Sequence, residues 1–119
     1  FLYLRNYEPD RWPSGDPVEF RERRGLYGEV DPSPTKTYML ENRDDPKVKR
    51  LFKLAFDKRP FEELYDLRKD PWQLTNVADK SEYANAKRRL VKIFEDQFTA
   101  TYDPRALGIP PRPASTGND

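Results

Sequence analysis

Apolar residues alternate over the first positions of the chain and then give way to prolines. Leu2 and Leu4 alternate with Phe1, Tyr3 and Arg5, and the aromatic and branched content of residues 1–7 predicts a strand with two distinct faces. Between Glu8 and Ser33, Pro9, Pro13, Pro17 and Pro32 recur, with Gly15, Gly25 and Gly28 among them. Proline lacks an amide donor and fixes its own backbone, so this stretch predicts a long irregular loop. Ser33-Pro34 has the form of an N-cap followed by proline at the first helical position, which predicts a short helix over about 34–42. Asp45-Pro46 repeats the signal. After it Val48, Leu51, Phe52, Ala55 and Phe56 fall on one apolar stripe of a second helix. Lys47, Lys49, Arg50 and Lys53 lie off that stripe, as expected of a solvated face.

Arg59-Pro60 breaks the second helix. Residues 61–68 read as a strand with Leu64, Tyr65 and Leu67 as its apolar content, and Lys69-Asp70-Pro71 as the turn that follows. Asp79 and Glu82 have the spacing of a capping box. Tyr83, Ala86, Leu90, Ile93, Phe94 and Phe98 then recur at steps of three and four, a stripe about four turns long. Tyr102-Asp103-Pro104 ends this last helix. From Ile109 onward Pro110, Pro111, Pro113 and small polar residues offer nothing to bury, which predicts a disordered tail over 109–119.

These elements predict an α+β fold: a small antiparallel sheet packed against a long C-terminal amphipathic helix, with a long Pro-rich loop and one or two further helices. Residues 1–108 are expected to form one subdomain, incomplete at its N-terminal edge. Composition sharpens that expectation. Charged residues make up 36% of the 119 and hydrophobic residues only 35%, a thin apolar supply for a small domain. A two-stranded sheet is marginal by itself in water. The chain also opens at Phe1, inside an apolar strand, which reads as a piece cut from a longer polypeptide. If a neighbouring strand is missing, residues 1–6 expose a sheet edge, and exposed edges recruit other chains. A homodimer through that edge is the expectation.

Charge and residue types exclude several functions. Lys and Arg number 22 and Asp and Glu 21, a net charge of +1, which argues against a nucleic-acid surface or an anionic membrane surface. No apolar run approaches the ~18 residues a membrane span needs. Cys and His are both absent. A thiol nucleophile, a Ser–His relay and a typical zinc site are therefore excluded.

The segment Lys58 to Asp79 carries a recognisable constellation. Glu63, Leu64, Tyr65, Asp66 and Leu67 are followed by Asp70-Pro71 and then by Asn76-Val77-Ala78. The order and spacing resemble the C-terminal signature of sulfatases, in which a Glu-Leu-Tyr-Asp-Leu strand, an Asp-Pro turn and Asn-Leu-Ala lead into a terminal helix. Val77 stands where Leu is usual, and Trp72 and Gln73 where a polar residue and Glu are common. Tyr3-Leu4-Arg5-Asn6 and Thr101-Tyr102-Asp103-Pro104 are similar to segments of the branch that includes heparan N-sulfatases. Residues 9–57 agree in layout more than in letters. Physical reasons suffice for the signature: Leu64 with Leu67 or Tyr65 fills a sheet–helix interface, Asp66 and Asp70 suit turns, and Asn76 can bond its own backbone.

The resemblance implies a C-terminal subdomain of a formylglycine-dependent sulfatase acting on sulfate esters or N-sulfates, with sulfated glycans as the expected substrates. The family's catalytic half lies upstream and supplies a Cys/Ser-x-Pro-x-Arg motif and carboxylates for calcium. This chain has no such motif, so catalytic residues and metal ligands are not expected in it. Its partner is expected to be the N-terminal catalytic domain. The resemblance also implies that the subdomain can form one wall of the substrate cleft, with Arg5, Asn6, Arg11 and Trp12 as substrate-binding candidates. Arginine pairs with sulfate through a planar fork and tryptophan stacks on sugar rings. The alternative is a stand-alone interaction module presenting its Pro-rich loop to a protein partner, with no nucleic acid and no membrane involved.

Overall fold

The computed structural model describes residues 1–15, 17, 25–105 and 107–108. The expected tail at 109–119 lies outside them, as do residues 16 and 18–24 of the Pro-rich loop. Two strands and three α-helices give the expected α+β class. The chain divides into two compact units. One combines Phe1–Tyr7 with the segment from Glu62 onward, and the other is Glu8–Phe61.

In the first unit, β1 (Leu2–Arg5) runs antiparallel to β2 (Glu62–Tyr65). Leu2 pairs with Tyr65, Tyr3 with Leu64, Leu4 with Glu63 and Arg5 with Glu62. Alternation along each strand therefore puts Tyr3, Arg5, Glu62 and Leu64 on one face. That face meets α3 (Ala84–Ala100). The core is Leu64, Val77, Ala78 and Tyr83, with Tyr3 and Leu90 packed against it. Leu64 has no exposed surface. Aromatic edges complete the packing: Tyr3 meets Phe94 at 5.6 Å between ring centroids, and Phe1 meets Tyr83 at 6.0 Å.

Two expectations are corrected in this unit. Of the apolar residues expected in the second strand, Tyr65 is buried while Leu67 is exposed, because β2 ends at Tyr65 and Leu67 lies in the turn that Asp66 opens. The Asp79–Glu82 capping box does not form. A short 3₁₀ turn, Ser81–Tyr83, precedes α3, and neither start carries a side-chain capping bond. Tyr83 N–H instead donates to Lys80 C=O at 3.0 Å, so the chain enters α3 through backbone bonds.

In the second unit the two expected helix starts are realised. α1 (Pro34–Glu41) is capped by Ser33, whose side chain accepts from Lys36 N–H, and α2 (Pro46–Phe56) by Asp45, which accepts from Lys47 N–H. Val48 and Phe56 of α2 are buried and Phe52 half-buried, whereas Leu51 is 51% exposed and Ala55 also faces outward. The inward side is chosen by Tyr27, buried in the loop, whose ring lies 4.9 Å from Phe56 and 6.0 Å from Phe52. Tyr27 adopts a left-handed backbone, φ 52°. The buried Lys36 ammonium holds that loop by donating to Tyr27 C=O at 3.0 Å and to Val30 C=O at 2.8 Å. Gly15 is required here: its φ is 84°, and a Cβ would meet Gly28 N at 3.0 Å.

Candidate functional site

The four substrate-binding candidates divide between the two units. Arg5 ends β1 and Asn6 follows it, half-buried. Arg5 sits in a dense polar network. Its Nε donates to the Tyr3 hydroxyl at 3.0 Å, one terminal nitrogen donates to Glu95 at 3.1 Å, and the other lies 3.5 Å from Glu62. The guanidinium also lies 5.1 Å from the Phe94 ring centroid. Burial works against its charge, but the bonds to Tyr3 and Glu95 outweigh that and raise its pKa. Only 11% of the Arg5 side chain is exposed. Glu95 is the exposed member of the network.

Glu62 is the centre of this network. It accepts from the Tyr3 hydroxyl at 2.5 Å and pairs with the Lys87 ammonium at 2.6 Å. Burial alone would raise its pKa. The Lys87 and Tyr3 hydrogen bonds and the Lys87 and Arg5 charges overcome that and hold it below the ordinary carboxylate value. Burial and the Glu62 carboxylate push the Tyr3 phenol the other way, up to about 12. The network ties β1, β2 and α3 together.

Arg11 and Trp12 lie in the other unit. Arg11 is exposed and its N–H donates to Glu8 C=O at 3.0 Å. Trp12 is half-buried, with its ring edge-on to Tyr27 at 6.0 Å. The Lys58 ammonium stands 5.3 Å over the Trp12 ring. Lys58 also borders an open groove along the outer side of α2, with Lys49, Arg50 and Lys53 around Leu54 and Asp57. The sequence pattern assigns Lys47, Lys49, Arg50 and Lys53 to a solvated face and does not include Lys58. The signal that marks them is that α2 carries four cations and no acid, with Lys49 and Lys53 one turn apart and exposed, flanking the stripe of Val48, Phe52 and Phe56.

The signature residues carry structure. Asn76 Oδ1 accepts from Leu64 N–H at 2.9 Å and from Ala78 N–H at 3.0 Å, and its Nδ2 donates to Glu62 C=O at 3.1 Å. Val77 N–H donates to Leu64 C=O at 2.8 Å. Asn76 and Val77 thus supply the outer edge of β2 with the partners a third strand would give it. Asp66, buried, and Asp70 close the turn: Asp66 C=O accepts from Lys69 and Asp70 N–H, and Asp70 Oδ2 accepts from Thr75 N–H at 2.7 Å. Gln73 occupies the left-handed region, φ 57°, and beside it Trp72 is 80% exposed.

Among the described residues no cluster of three or more His, Cys, Asp or Glu could hold a metal ion. Among them, too, no helix is long and apolar enough to cross a membrane.

Comparison with known proteins gives one relationship of weight. Over 104 residues, 87% of its length, the chain is 33% identical to the ulvan-active sulfatase of Formosa agariphila. The chain is thereby related to a sulfatase, a hydrolase. The aligned region spans 16% of that enzyme's length. No family model matches the chain, and no solved structure matches it.

Proposed function

We propose that the chain is the C-terminal subdomain of a sulfatase that hydrolyses sulfate esters or N-sulfates of sulfated glycans, and that this part is not itself catalytic. The observation that supports the reading is the 104-residue match to a sulfatase, taken with the structural roles of Glu63, Leu64, Asp66, Asp70, Asn76, Val77 and Ala78. Without Cys or His, the chain has neither a thiol to become formylglycine nor an imidazole to sit beside a sulfate. Those groups, and the calcium ligands, are assigned to a partner catalytic domain upstream. A finer placement beside heparan N-sulfatases rests on the resemblance at Tyr3–Asn6 and Thr101–Pro104 alone.

The deciding experiment is to sequence the reading frame upstream of the Phe1 codon in the source genome. A Cys/Ser-x-Pro-x-Arg motif with clustered aspartates supports the reading. An unrelated domain in that frame overturns it and leaves the interaction module in its place.

Within the whole enzyme, the cleft-wall role assigned to Arg5, Asn6, Arg11 and Trp12 is testable by alanine substitution. Arg11 and Trp12 lie outside the Glu62 network, so Arg11→Ala and Trp12→Ala should raise KM for a sulfated oligosaccharide by about threefold to tenfold with kcat little changed. An unchanged KM for both would remove them from the cleft.

A further inference from the structure

We infer that the outer face of α2 is a binding groove for a sulfated glycan segment. Lys49, Arg50, Lys53 and Lys58 border it, Leu54 and Asp57 lie between them, and Lys58 stands over the Trp12 ring. Lys49, Lys53 and Lys58 are all exposed. The charge is segregated: α2 contributes Lys47, Lys49, Arg50 and Lys53 with no acid, whereas the whole chain carries a net charge of only +1. Everything outside α2 is therefore net acidic.

Chemistry follows from this arrangement. Lysines four positions apart on a helix present their ammonium groups at neighbouring points, with Cβ atoms about 5–6 Å apart. Such a row suits an anion repeated along a flexible chain. Each lysine acts as a point charge that accepts sulfate from many directions. Leu54 and Pro46 give the groove apolar surface between its cations, which favours a sugar backbone over a purely ionic ligand. A nucleic-acid duplex would need a broad basic surface, and the net acidity outside α2 opposes one. The choice of a sulfated glycan among polyanions rests on the sulfatase reading; anion capture by the groove does not.

The test uses the 119-residue chain and dextran sulfate of defined length as probe, followed by isothermal titration calorimetry. Unsulfated dextran and a single-stranded oligonucleotide of matching charge are the comparison ligands. The groove variant is Lys49→Gln with Lys53→Gln. A control, Lys80→Gln with Arg89→Gln, removes the same charge from the other unit. Dextran sulfate should bind and unsulfated dextran should not. The groove variant should bind about fivefold more weakly, as two exposed ionic contacts would give, and the control should match the unaltered chain. Equal weakening in both variants, absence of binding, or tighter binding of the oligonucleotide than of dextran sulfate overturns the inference. Footprinting of the unaltered chain gives a second reading should the groove variant fail to fold. Bound dextran sulfate should protect Lys49, Lys53 and Lys58 from reductive methylation and leave Lys80 reactive, and uniform protection counts against the groove. A failure here, with the motif present in the upstream frame, would remove the groove and leave the sulfatase reading standing.

Discussion

Asn76 shows how one side chain can finish a sheet. Its amide gives two acceptor bonds and one donor bond, two of them to the outer edge of β2. Truncation to alanine leaves Leu64 N–H, on the most deeply buried residue of the unit, without its acceptor. An unmade bond of this kind costs about 1–3 kcal/mol. Asn76→Ala should lower the urea midpoint of unfolding accordingly, and Asn76→Asp, which keeps the acceptor and loses only the donor to Glu62 C=O, should cost less. Equal losses in the two variants would show that the acceptor bonds carry no weight. The turn-forming use of Asn76 was legible in the sequence, because an Asx side chain reaches its own backbone two residues on. Its bond to β2 was not, because it spans twelve positions and leaves no local pattern. The same distinction separates Tyr65 from Leu67: both are apolar enough to be buried, and only the strand's end at Tyr65 decides which one is.

At the scale of elements, local hydrogen-bond chemistry was readable and long-range pairing was not. Ser33-Pro34 and Asp45-Pro46 mark helix starts because cap and proline act within one turn. The Asp79–Glu82 spacing misled, because the Ser81–Tyr83 turn takes up the residues a capping box would need. On α2 the stripe was correct in period but too broad, since Tyr27, far back in the loop, decides that Phe52 and Phe56 face inward and Leu51 outward. The Glu62 network had no sequence signal at all, joining residues from Tyr3 to Glu95. It contributes to the pH dependence of the first unit. Glu62 titrates in the folded chain below its ordinary value of 4.5. Its contribution to stability is therefore complete above that value and is lost as pH falls through the folded one. Tyr3 behaves oppositely: its pKa rises from 10.0 to about 12, so its contribution holds below 10 and disappears as pH climbs towards 12. Urea midpoints measured across pH should fall at both ends. Glu62→Gln should flatten the acid limb, and Tyr3→Phe the alkaline one. An acid limb unchanged in Glu62→Gln would assign the loss to other carboxylates.

For the molecule as a whole, the thin apolar supply seen in the sequence has a structural counterpart. The core of the first unit is Leu64, Val77, Ala78 and Tyr83. α3 runs for 17 residues without one that is buried, and Ile93 on it is 52% exposed. Leu90 packs against the core and Phe94 against Tyr3, so packing, the main source of helix stability in proteins, acts on one stripe of α3 and leaves Ile93 outside it. If the chain is a subdomain of a sulfatase, the catalytic domain is the natural cover for such apolar surface. Covering Ile93 alone would add about 1 kcal/mol. The 119-residue chain should therefore unfold at low urea with a shallow transition. Joined to its upstream polypeptide it should unfold at higher urea, and the amides of α3 should exchange with solvent more slowly. Hydrogen exchange followed by mass spectrometry separates the outcomes by segment. Slower exchange confined to β1 and β2 would place the contact on the sheet instead of the helix. Identical exchange in the two forms would mean that the chain stands alone, its small core sufficient, and would weigh against the subdomain reading.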